Sequence, residues 1–114
     1  MKVSLKPGTE KRGLILKSEI HTVRLTVQMT EEEKAAARAA NILNQELFAV
    51  PLSEKSNSGP IFTVNELVKG VDVTGHFADF LSASEFSSTV KDMLVKVKTA
   101  LEAKMNEGDE EFEL

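Results

Sequence analysis

The side chains best suited to chemistry are few. The 114 residues include two histidines, His21 and His76, and no cysteine. Ahead of the second histidine, Asp72, Thr74 and His76 recur at every other position. On an extended strand this puts a carboxylate, a hydroxyl and an imidazole in a row on one face, about 7 Å apart. That spacing is too long for direct hydrogen bonding, so general-base action by His76 requires a partner from a neighbouring strand, within about 3 Å. Arg24, on the polar side of another alternating segment, completes the candidate ligand-binding group Arg24, Asp72, Thr74 and His76. The competing reading is an ordinary solvated sheet face, which antiparallel sheets commonly have. No residue is singled out as catalytic.

Other chemistries have less to draw on. A metal site needs converging ligands, and the chain has no His-x-x-x-His pair, no thiolate and no Asp-x-Asp-x-Asp calcium loop, so neither metal nor cofactor is expected. There is no Gly-x-Ser-x-Gly elbow and no phosphate-cradling loop; the six glycines are scattered at 8, 13, 59, 70, 75 and 108. Glu31-Glu32-Glu33 resembles a carboxylate cluster, but acids are also what the positive end of a helix prefers. His21 begins the apolar face of its strand and reads as a residue at the rim of the core.

The elements that must position these groups follow from periodicity. In 20–29, His21, Val23, Leu25, Val27 and Met29 alternate with Ile20, Thr22, Arg24, Thr26 and Gln28, the pattern of a half-buried strand. Val3 and Leu5 alternate with lysines upstream, and Leu14-Ile15-Leu16 is a short apolar run that Lys17-Ser18-Glu19 would join to 20–29 as a hairpin. Thr30 and Glu33 form a capping box that opens a helix, with Asn44 as its stop. Residues 46–52 read as a strand with Pro51 at its edge, 53–60 as a loop, Thr63 to Gly70 as a short capped turn, and 71–78 as a strand. A third box, Ser82 and Glu85, opens a run to about Met105 without Gly or Pro, roughly 34 Å long as a helix. The expected fold is α+β: a mainly antiparallel sheet of about four to five strands with two helices packed on one face, the C-terminal one of them long.

That helix carries an apolar stripe in which Val90, Leu94, Val97 and Leu101 follow the 4-3-4 spacing of a coiled-coil seam. These four residues are candidate partner contacts. Residues 1–106 read as one domain and 107–114 as an acidic tail. Of the 18 acids, five lie in 107–114, which has no base, so 1–106 hold 13 acids against 14 bases and are nearly neutral. Phe112 and Leu114 within the tail are further candidate contacts, suited to entering a pocket while the acids select a basic surface. Residues 1–24 carry a local basic excess.

No window approaches the ~18 apolar residues of a membrane span, and the lack of cysteine fits a reducing cytoplasm. Three functions are therefore ranked. First is a non-enzymatic interaction or assembly domain, with a protein partner or self-association through the helix stripe. Second is a small enzyme or ligand-binding domain using the face near His76. Nucleic-acid binding through the basic N-terminal strands comes last, because the chain lacks Trp and Tyr and ends in acids.

Overall fold

The alternation in 20–29 produces the central strand of the principal sheet. The structure is a computed structural model describing residues 1–13, 18–53 and 59–107. In it β1 (Lys2–Arg12) and β2 (Ser18–Gln28) pair antiparallel along their whole lengths, from Lys2 opposite Gln28 to Arg12 opposite Ser18. Next come α1 (Glu31–Ala39), β3 (Glu46–Ala49), β4 (Ile61–Thr63), α2 (Val64–Lys69), β5 (Val71–Phe77) and α3 (Phe80–Asn106). β5 pairs antiparallel with the other side of β2, giving the order β1-β2-β5, and β3 pairs with β4 in a separate two-stranded sheet.

The α+β class, the antiparallel sheet and the long C-terminal helix are all present. Among the described residues the expected single sheet of four to five strands is instead three strands plus two, and there are three helices rather than two. β4 explains part of the difference, because three residues are too few to give a periodic signal. The expected turn at 17–19 is displaced: Ser18 and Glu19 belong to β2, while the strand reading of Leu14-Ile15-Leu16 lies outside the described residues.

Helix ends follow cap chemistry. The Thr30 hydroxyl accepts from Glu33 N at 3.2 Å and Glu33 Oε1 accepts from Thr30 N at 2.9 Å, closing the first capping box. α1 stops earlier than Asn44, because Asn41 takes the left-handed conformation at φ 57°. Asn41 N then donates to Arg38 O and Ile42 N to Ala37 O, the paired bonds of a Schellman ending. At α2 the Thr63 hydroxyl turns to the Glu66 carboxylate at 2.7 Å and caps no backbone N–H. α3 begins before Ser82: Asp79 is its N-cap, accepting from Ser82 N at 2.7 Å, so the third box is replaced by an earlier start. With 27 residues α3 is about 40 Å long.

The inner face of the sheet, Val23, Leu25 and Val27 with Val71 and Phe77, is closed by the stripe Ala83, Phe86, Val90, Leu94, Val97 and Leu101 of α3. Phe86 sits between Phe77, with ring centroids 5.1 Å apart, and Phe48, edge-on at 6.2 Å. A bulge between Glu46 and Phe48 lets consecutive Leu47 and Phe48 both be buried. Gly59 completes the join to β4: a Cβ there would lie 1.5 Å from the Val50 carbonyl oxygen, while Val50 N donates to Pro60 O.

Candidate functional site

The outer face of the sheet carries the ligand-binding candidates. Register places Thr22 opposite His76, Arg24 opposite Thr74 and Thr26 opposite Asp72, and directly opposed residues share a face. Arg24 reaches diagonally to Asp72, donating Nε to Oδ1 at 3.0 Å and Nη2 to Oδ2 at 2.9 Å. Those hydrogen bonds are the main cause that holds the Asp72 carboxyl below the ordinary aspartate range; desolvation opposes them and the guanidinium charge adds to them. The same hydrogen bonds, and then the Asp72 charge, raise Arg24.

Toward the hairpin end the same face changes character. Ile20 and Thr22 are buried, and His76 Nδ1 is out of solvent with no hydrogen-bond partner among the described residues. The close fit of Gly8 over Thr22, where a Cβ would lie 2.9 Å from Oγ1, is part of this burial. Arg24 and Asp72 are thus brought together, with Thr74 alongside, but His76 receives no carboxylate or hydroxyl that would make it a general base. The trough on this face runs past Lys2, Ser4, Thr26, Gln28 and Asp72, and takes in only Asp72 of the four candidates.

Val90, Leu94, Val97 and Leu101 are at most 4 % exposed and belong to this chain's own core. Phe112 and Leu114 lie outside the described residues.

A second concavity was not apparent from sequence. α3 covers β2 and β5 but leaves β1 partly uncovered, so a groove of about 410 Å³ runs between the edge strand and the first turns of the helix. Leu5, Pro7, His21 and Val23 line its sheet side, and Phe80, Ala83, Ser84, Ser87, Ser88 and Lys91 its helix side. Its lining includes Lys91 and His21 and no carboxylate. At one end the His21 ring meets Phe80 edge-on at 6.1 Å, and Phe80 and Leu81 are 70 % and 67 % exposed. Asp79 beside them lies below the ordinary aspartate range, chiefly through its hydrogen bonds from Ser82, with His21 a lesser influence. Lys11 of β1 is exposed on this side, while Lys2 and Lys6, opposite Gln28 and Arg24, are exposed on the outer face of the same edge strand. The signal that could have revealed this groove is Asp79, an N-cap residue that starts the helix three positions early and sets Phe80 and Leu81 in its exposed first turn.

Nucleophilic chemistry has no geometric support in the groove, since no hydrogen bond joins His21 to Ser84, Ser87 or Ser88 among the described residues. No cluster of potential metal ligands occurs among them either, and no described helix is long and apolar enough to cross a membrane. Compared with known protein families, curated proteins and solved structures, the chain matches none.

Proposed function

We propose that this chain is a non-enzymatic protein-interaction domain that binds an extended, acidic and apolar segment along β1, in the groove against α3. One observation carries this reading: an eleven-residue edge strand borders a groove with an apolar floor and no carboxylate in its lining. Among the described residues β1 pairs only with β2, and the outer side of such a strand can offer main-chain donors and acceptors to an added strand, whose alternate side chains would enter the groove. Lysines on an edge discourage pairing with a like-charged edge and favour a segment bearing acids. Ligand binding at the outer face ranks second. Its support is the buried, unpartnered His76 Nδ1, but Arg24 and Asp72 already occupy each other's hydrogen-bonding groups.

Selection of random phage-displayed peptides on the full chain tests the proposal. Enriched sequences should alternate acids with Phe or Leu, and should bind Ser84→Trp, which fills the groove from an exposed wall position, roughly tenfold more weakly or worse. No enrichment, or equal binding to a folded Ser84→Trp variant, would overturn it.

A further inference from the structure

A segment with the chemistry that the groove would select is present in the chain itself. Residues 107–114, Glu-Gly-Asp-Glu-Glu-Phe-Glu-Leu, combine five carboxylates with two large apolar side chains. On an extended backbone Phe112 and Leu114 project to one side with Glu110, and Glu107, Asp109, Glu111 and Glu113 to the other, so one edge carries both apolar residues beside a single acid and the other is wholly acidic. The apolar groove, with Lys91 in its wall, is complementary to the first edge, and Lys2 and Lys6 on the outer face of β1 to the second.

Most of the groove of the same chain is out of reach. Ser88 stands 18 residues before Asn106 on α3, about 27 Å along its axis, and Ser84 about 33 Å. Phe112 and Leu114, six and eight residues beyond Asn106, extend at most about 20–22 and 26–29 Å even with no residue spent on reversing the chain, so they stop at the Lys91–Ser88 end and short of Ser84. A second copy removes this difficulty. Ser84, Ser88, Lys91 and Val95 follow a 4-3-4 spacing and so share one helix face, continuing the groove wall toward the middle of α3. Val95 on that face is 64 % exposed, although it is apolar. If two copies pack their α3 helices antiparallel about Val95, Glu107 of each falls beside Ala83 of the other, at the mouth of its groove.

We infer that two copies pair about Val95 and exchange their C-terminal segments, Phe112 and Leu114 of each entering the β1–α3 groove of the other while the flanking acids face Lys6 and Lys91. This rests on the docking role proposed above, and it makes each groove complete only with the other copy's tail. The exchange is reciprocal, so the assembly closes at two.

The test is light scattering on the full chain and on its Phe112→Ser/Leu114→Ser, Val95→Glu and Ser84→Trp variants, with circular dichroism to establish that each is folded. A fluorescein-labelled peptide of residues 106–114 is also titrated into the Phe112→Ser/Leu114→Ser chain. The full chain should be a dimer and all three variants monomers. The peptide should bind the tail variant, more weakly as salt rises, and should fail to bind once Ser84→Trp is added. A monomeric full chain, or a dimer indifferent to the tail substitutions, would overturn the exchange. Should phage-selected peptides bind the groove while the 106–114 peptide does not, the exchange falls and the docking role stands. If neither binds, both fall.

Discussion

Arg24 and Asp72 sit diagonally on neighbouring strands and form a two-bonded ion pair on the outer face, with side chains 56 % and 60 % exposed. Exposure decides its worth: water screens the attraction, and two mobile side chains lose freedom in holding one geometry. Arg24→Ala, Asp72→Ala and the double variant should therefore melt close to the parent chain. Any coupling in the thermal double-mutant cycle should vanish in molar salt. Persistent coupling at high salt would mean that the pair is held by something beyond the two side chains.

Glu33 makes the opposite case, because it is buried and triply engaged. Its Oε1 lies 2.7 Å from the Met1 ammonium and accepts from Thr30 N, and its own N–H donates to the Thr30 hydroxyl. Burial is the largest single influence and pushes its carboxyl up. The hydrogen bonds from Met1 and Thr30, with the ammonium charge, together outweigh burial and set it below the ordinary glutamate range. A carboxyl with a lowered folded-state pKa stabilises fully above its unfolded value, and this stabilisation is lost as pH falls through the folded-state value. Glu33→Gln should cost on the order of 1.5–3 kcal/mol at neutral pH. In urea titrations at a series of pH values the gap to the parent should close as the solution becomes acidic past the glutamate range; a gap independent of pH would show that charge is not the cause.

Opposite sides of a single turn of α3 separate core from surface. Leu94 is 4 % exposed within the central cluster, whereas Lys96 faces water. Leu94→Ala should cost about 2–5 kcal/mol by lost burial and the cavity left behind. Lys96→Ala should change stability by no more than about 0.5 kcal/mol. Chemical denaturation of both variants measures the contrast, and near-equal losses would contradict the orientation of the helix.

Local patterns were legible where one residue type dictates one geometry. Thr30 and Glu33 closed their box, and the alternation from Val23 to Met29 gave the buried face of β2. Competition between equivalent signals was not legible. Asn41 and Asn44 both tolerate the left-handed conformation, and Asp79 and Ser82 both cap helices; in the fold Asn41 and Asp79 are the ones that act. The same limit applies to the stripe Val90, Leu94, Val97 and Leu101, because a coiled-coil seam and a core-facing helix share one spacing. Beyond the N-cap signal at Asp79 the groove was not legible, as it depends on how far α3 extends over β1. For the outer face, alternation assigned Arg24, Asp72, Thr74 and His76 to one side, and only pairing register could show that Arg24 meets Asp72 and that His76 faces Thr22.

His76 supplies the sharpest test of that face. Its backbone N–H donates to Pro51 O at 2.7 Å, a bond that any side chain at this position would keep. The imidazole Nδ1, in contrast, is buried without a partner among the described residues. A buried polar atom left unpaired costs about 1–3 kcal/mol, and replacing it with an apolar group of similar size removes that cost. His76→Leu should therefore be at least as stable as the parent in urea denaturation, by as much as about 1 kcal/mol. His76→Asn, smaller and still polar, should be less stable than either. A clear loss of stability in His76→Leu would show that the ring makes a bond in solution, and would return His76 to the list of groups able to hold a ligand.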